Sequence, residues 1–291
     1  IVNDEGTKLS ASIHARLLNL AREKKRTFQE ILQYYAMERF LYRLSKSEYR
    51  DQFVLKGALM FSVWEIPWRR PTRDIDLRGY VENEIDTVVR SVREICEQEV
   101  ELDGMVFVSQ SVRADIIQEF APYQGIRVNF LGRLGKARVH MQLDIGFADE
   151  ITPAVVDLTY PVLLDTSAPR LKGYPPETLI AEKLHGIVFL GEINSRMKDF
   201  YDIWLLSRQH EFDGKQLSQA VQKTFARRET PIPKKIPVGL TKSFAQEKQG
   251  MWEAFLDTFR RDDDILPDDF SEVIEQIKAF ALPILENVGA K

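Results

Sequence analysis

Between residues 104 and 147, apolar side chains recur at every second position in three runs, 104–111, 125–131 and 138–147. A period of two is the mark of strands with one buried face, and the short gaps between the runs are hairpin-like. A helical pattern over 82–98 precedes them, so the segment implies a mixed sheet that is partly antiparallel. From Pro176 the apolar spacing becomes helical, over 176–190, 195–208, 214–227, about 240–260 and 269–287, with a three-proline loop at 229–239. The start is helical as well, over 9–46, with Ser10 or Ser12 as cap and a break near Lys25–Thr27 that makes two helices. The stretch Pro161–Pro176 is proline-rich and irregular, and reads as a boundary. The expected fold class is α+β (mixed α/β). N-terminal helices occupy 1–50, an α/β core 51–165 and a helical C-terminal domain 166–291.

Composition excludes several classes. The chain has 291 residues, 44% apolar and 29% charged, which suits a soluble globular protein of one large or two smaller domains. No run approaches the roughly 18 apolar residues of a membrane span. No basic start followed by an apolar run marks a signal peptide. The single cysteine, Cys96, falls in a helical pattern beside Val92 and Ile95. It reads as a small core residue, and a reducing, cytoplasmic setting is expected. The net charge of −4 excludes a uniformly basic nucleic-acid coat. Contact with RNA would rest on local patches: Arg69, Arg70 and Arg73 in one, Arg227, Arg228, Lys234 and Lys235 in another.

The densest chemistry lies in Asp74-Ile75-Asp76-Leu77. On a strand, both carboxylates share one face while Ile75 and Leu77 face the core. Adjacent like charges repel, and a pair of magnesium ions would compensate them with the hard oxygen ligands that magnesium prefers. Two metals serve phosphoryl transfer by activating the attacking hydroxyl and steadying the leaving pyrophosphate. Upstream, Phe53-Val54-Leu55-Lys56-Gly57-Ala58 looks like a strand entering a glycine turn and then a helix, where backbone N–H groups can approach phosphate. Lys56 and the nearby arginines add positive charge. A third carboxylate, Asp144, shares a strand face with His140 and Gln142, opposite Val139, Met141, Leu143 and Ile145. A neighbouring strand would bring it beside Asp74 and Asp76; otherwise it lies on a plain exposed face.

Further on, Lys183 falls within the apolar stripe of Leu179, Ile180, Leu184 and Ile187, where a lysine must snorkel, pair or do chemistry. His185 lies off that stripe and reads as a surface or packing residue. Asp199 and Asp202 are neighbours on the next helix. A Lys183–Asp202 salt bridge pinning the two helices is one reading, and it is compatible with catalysis.

Three blocks resemble the AbiEii/AbiGii nucleotidyltransferase family, the toxin halves of type IV toxin–antitoxin (abortive-infection) systems. They are Phe53–Leu59 with Arg70-Pro71-Thr72-Arg73-Asp74-Ile75-Asp76-Leu77, Leu143–Asp149, and Ala181-Glu182-Lys183-Leu184 followed by Asn194–Asp202. The resemblance implies a polymerase-β-like core with Asp74 and Asp76 at the metals; Asp144 is added as a candidate third ligand by the strand reading above. It implies Lys183 at the nucleotide phosphates and Asp202 or Asp199 orienting the acceptor or the lysine; Lys56, Gly57, Ala58, Arg70, Thr72 and Arg73 are the further phosphate-binding candidates of the first block. It also implies transfer of NMP from an NTP onto RNA, in the family a tRNA end, and an AbiEi-type antitoxin partner. One departure is Gly57-Ala58, where related enzymes have Gly-Ser or Gly-Gly, so no serine hydroxyl is available. The gap from Gly57 to Asp74 is also longer than the superfamily's usual dozen or so residues. Two other readings share these residues: NMP transfer onto a protein side chain, and a nucleotide- or RNA-binding regulator without catalysis.

Overall fold

The computed structural model describes residues 4–66, 70–120, 123–259 and 266–289; Arg69 of the first basic patch lies outside them. The chain divides into two compact units. One comprises Ile1–Pro67, Pro71–Ala148 and Val156–Gly173, the other Trp68–Arg70, Asp149–Val155 and Tyr174–Lys291.

The first unit opens with helices α1 (Asp4–Glu23) and α2 (Phe28–Lys46), followed by strand β1 (Phe53–Lys56), a 3-10 turn at Gly57–Leu59, the short α3 (Met60–Val63) and β2 (Asp74–Gly79). Then come α4 (Ile85–Glu97), a meander of β3 (Met105–Phe120), β4 (Tyr123–Leu134) and β5 (Ala137–Gly146), and the short β6 (Val156–Thr159) and β7 (Arg170–Gly173). Among the described residues these seven strands form one sheet in the order β3-β4-β5-β2-β1-β7-β6. β2 pairs antiparallel with β1 and parallel with β5, which makes the expected mixed α/β class.

The break between the first helices falls where expected: Lys25 has φ of 50°, and the Thr27 hydroxyl caps α2 by accepting from the Glu30 N–H. The expected cap of α1 is corrected. The helix already runs from Asp4, and Ser10 sits inside it with its hydroxyl donating to the Gly6 carbonyl at 2.8 Å. The Pro161–Pro176 stretch is not wholly irregular, because β7 lies within it. β6 and β7 have four residues each, too few to show a period, and they exist through pairing with each other and of β7 with β1.

Helix α2 is buried from Ile31 to Leu44 even though Glu38, Arg39 and Arg43 interrupt its apolar face. Each charge is paired, as burial demands. Arg43 forks onto both oxygens of Asp103 at 2.7 and 3.1 Å and donates to the Met105 carbonyl at 3.0 Å. Arg39 meets Glu38 at 2.7 Å and donates to the Ser167 carbonyl at 2.9 Å. Glu38 accepts from the Leu163 N–H at 2.7 Å, and burial pushes its carboxyl up to about 7. These bonds fasten the chain between β6 and β7 to α2.

The second unit carries α5 (Pro176–Leu190), α6 (Met197–Gln209), α7 (Gly214–Arg227), α8 (Lys242–Leu256) and α9 (Phe270–Gly289). All five expected helices are present, with ends shifted by a few residues. Their core includes Trp252 stacked on Phe270 at 5.0 Å between ring centres, with Phe200 edge-on to Phe270 at 5.2 Å. Among the described residues no helix is long and apolar enough to cross a membrane.

One buried polar cluster in this unit corrects one expectation and decides another. Arg228 is not an exposed member of the second basic patch: it donates to Asp149 at 2.9 Å and lies 3.7 Å from Glu182, with its side chain only 13% exposed. Of the two readings of His185, surface or packing, the structure gives packing: it is 1% exposed. Arg228 can only donate, so its contact with His185 Nδ1 at 3.3 Å makes that nitrogen the acceptor and leaves Nε2–H to donate to Thr230 at 2.9 Å. Protonation would place a proton at Nδ1 against a guanidinium. Burial and then Arg228 push the imidazole down from 6.5 to about 4. The unfolded chain therefore binds this proton first, and stability present above pH 6.5 is lost as pH falls toward 4. We expect His185→Gln to flatten that part of the stability–pH curve, measured by urea unfolding at several pH values. An unchanged slope would contradict the buried neutral imidazole.

Candidate active site

The register of β2 with its neighbours assembles the carboxylates. Asp76 lies opposite Lys56 on β1 and opposite Asp144 on β5, while Asp74 lies opposite Gln142. Along β2, exposure alternates as the period of two requires, with Asp74, Asp76 and Arg78 partly exposed and Ile75, Leu77 and Gly79 buried. Asp74, Asp76 and Asp144 each present a carboxylate oxygen within 4.8 Å of the other two.

Two devices hold them there. Gln33 on α2 donates to the Arg73 carbonyl at 3.3 Å and to the His140 carbonyl at 3.2 Å, spanning the approaches to β2 and β5. Tyr34 accepts from the Thr72 N–H at 3.1 Å, and the Thr72 hydroxyl donates to Asp74. On the other side stands Gly57, with φ of 71°. A Cβ there would fall 1.9 Å from Asp76 Oδ2, so the turn needs glycine for its backbone and for the space that the carboxylate occupies.

The residues fit divalent cations. Three carboxylates this close raise one another's energy unless positive charge intervenes, and their oxygens are the donors that magnesium takes. Part of that charge comes from the protein itself. Arg127 on β4 lies opposite Asp144 and forks onto both its oxygens at 2.8 and 2.7 Å, while the Gln142 amide reaches the same oxygens at 3.2 Å. The sequence reading passed over Arg127. Its signal lay in the β4 alternation, where Ile126, Val128 and Phe130 are buried and Arg127 and Asn129 take the opposite face.

In the second unit, the Lys183 ammonium lies 2.7 Å from both Asp199 and Asp202. Arg70 forks onto Asp202 at 2.7 and 2.6 Å. Burial would push the ammonium down, but Asp199 and then Asp202 outweigh it and hold Lys183 above the ordinary lysine value. Burial would likewise push Asp202 up, but Arg70 and then Lys183 hold it below the usual carboxylate range. The expected bridge between the two helices is thus present, with Asp199 and Arg70 added to it.

The remaining expected site residues are spread differently. Lys56 is buried at the end of β1, and Ala58 sits in the 3-10 turn beside Gly57. Thr72 is buried and Arg73 exposed. In the second unit Arg227, Lys234 and Lys235 are exposed, unlike Arg228.

The sequence matches the family model described as the nucleotidyl transferase AbiEii toxin of type IV toxin–antitoxin systems over residues 39–276. Among proteins of curated function, none matches. A Helicobacter pylori "putative nucleotidyltransferase" of known crystal structure is similar over 91% of this chain and 98% of its own, at 15% identity and a TM-score of 0.48. JHP933, also from Helicobacter pylori, is similar over 91% of this chain and 95% of its own, at 15% identity and a TM-score of 0.49. With the family model spanning the carboxylate strands as well as the Lys183 and Asp202 helices, the chain belongs to the AbiEii nucleotidyltransferase toxins of type IV toxin–antitoxin systems.

Proposed function

We propose that Asp74, Asp76 and Asp144 hold magnesium ions with which the protein moves NMP from an NTP onto the 3′ hydroxyl of an RNA, a tRNA end being the acceptor the family favours. The observation that carries this reading is the meeting of three carboxylates from two adjacent strands within 4.8 Å. Bound there, the metal pair would supply activation of the attacking hydroxyl and neutralisation of the leaving pyrophosphate. The acceptor oxygen attacks the α-phosphorus in line as the bond to pyrophosphate breaks. The protein's share is positional and electrostatic. Gln33, Thr72 and Gly57 keep the carboxylates in place. Lys56, Arg73 and the backbone N–H groups of Gly57 and Ala58 offer partners for phosphate, without a serine hydroxyl in the turn; the Thr72 hydroxyl is engaged with Asp74. Lys183 is the phosphate-binding cation of the second unit. Asp199 and Asp202 keep it charged and oriented, and Arg70 acts through Asp202. Transfer onto RNA ends makes the protein a toxin, and an AbiEi-type antitoxin is its partner.

Incubation with each labelled NTP, magnesium and total RNA tests the reaction. Wild-type protein should label an RNA band, and Asp76→Asn should reduce labelling at least about a hundredfold with an unchanged melting curve. Equal labelling by the variant would contradict the site, and label on protein but not on RNA would contradict the acceptor.

Arg227, Lys234 and Lys235 form the RNA contact in this reading, supported by their exposure. Their joint replacement by alanine should weaken binding to single-stranded RNA. It should also flatten the salt dependence by about 0.7 in slope for each lost phosphate contact. Unchanged affinity and slope would remove this surface from the account.

A further inference from the structure

Asp144 differs from its two companions in what already binds it. The Arg127 guanidinium engages both of its oxygens, through Nε at 2.8 Å and Nη2 at 2.7 Å. The Gln142 amide adds contacts at 3.2 Å to each. A carboxylate has about four acceptor positions, and a guanidinium fork takes two of them. Arg127 cannot lose its proton to make way, because arginine stays charged at any pH at which the protein is folded. A divalent cation sharing Asp144 would therefore sit beside a fixed positive charge, at a cost that grows as solvent is excluded.

The two partners are unequally free to respond. The Asp144 side chain is 7% exposed and held on a central strand, whereas that of Arg127 is 41% exposed. The carboxylate stays and the guanidinium has solvent to move into. Arg127 thus occupies the place of a counter-ion on one of the three carboxylates proposed above as metal ligands.

We propose that Arg127 is a stand-in counter-charge for the metal site. It neutralises Asp144 while no metal is bound, and gives up part of its fork when a divalent cation arrives. Arg127 is a positioning residue in this account, since it acts on metal occupancy through Asp144. The proposal rests on the metal reading of Asp74, Asp76 and Asp144. It adds that the arginine's charge weakens metal binding at the resting site.

Titration calorimetry with manganese(II) alone, without nucleotide, tests it on the wild type, Arg127→Gln and Arg127→Lys. Arg127→Gln keeps a hydrogen-bond donor for Asp144 but removes the charge. It should bind manganese about tenfold tighter than wild type, the order expected on removing one like charge from beside a partly solvated cation. Arg127→Lys retains the charge and should stay near wild type. In an Asp144→Asn background, the gain from Arg127→Gln should be smaller, because the fork that places the guanidinium is gone. The metal-free melting temperature of Arg127→Gln should lie below that of wild type and rise further on adding manganese. If Arg127 only orients Asp144, Arg127→Gln will bind no tighter than wild type, and the proposal is overturned while the metal site stands. If no form of the protein binds manganese, the metal reading fails and this proposal fails with it.

Discussion

Three carboxylates drawn together on one sheet set the terms for the first unit. Asp74, Asp76 and Asp144 come within 4.8 Å because β2 pairs in register with β5, and nothing in strand pairing itself favours such crowding. Like charges at this distance oppose one another by several kcal/mol where the surroundings exclude water. The sheet tolerates them because the remaining strand faces are apolar and tightly buried: Ile75, Leu143 and Ile145 are at most 1% exposed. The carboxylates are partners forced together by a core that would be lost if the strands slipped. A slip of one residue would send Ile75 and Leu77 to the polar face and the aspartates into the core.

Two further features follow from that crowding. Gly57 leaves the space in which the Asp76 carboxylate stands, since a single methyl group there would collide with it. Arg127 supplies a compensating charge from the other flank of β5. The second unit treats buried charge differently. Lys183 and Arg70 balance Asp199 and Asp202, and Arg228 meets Asp149 and Glu182, so each cation there has two carboxylates or shares one. Breaking one partner of such a network leaves a buried charge uncompensated, which costs more than the intact pair contributes.

Much of this was legible in the sequence, for a physical reason. Period-two alternation put Asp74 and Asp76 on one face and Asp144 on the polar face of its own strand, and the sheet then supplied the register. The lysine inside an apolar stripe left pairing as one of its options, with Asp202 as the candidate partner that the fold then places at 2.7 Å. Other features had no local signal. β6 and β7 are four residues long and depend on strands distant in sequence. Arg70 and Asp202 are 132 residues apart, and nothing around Arg70 marks it as a second partner of the aspartate read as the lysine's. Arg228 looked like one cation in a basic run, and only the fold turns it inward, away from the behaviour of Arg227. The caps of α1 misled because serine is common both at helix starts and within helices, where it can bond back to the preceding turn, as Ser10 does.

The account turns on whether the carboxylate cluster is a metal site. Anomalous diffraction from crystals grown with manganese(II) and a non-hydrolysable NTP analogue would decide it. The account predicts an anomalous peak ligated by oxygens of Asp74, Asp76 and Asp144, at about 2.2 Å as for hard divalent cations. A bound analogue with no peak at these three carboxylates would contradict it.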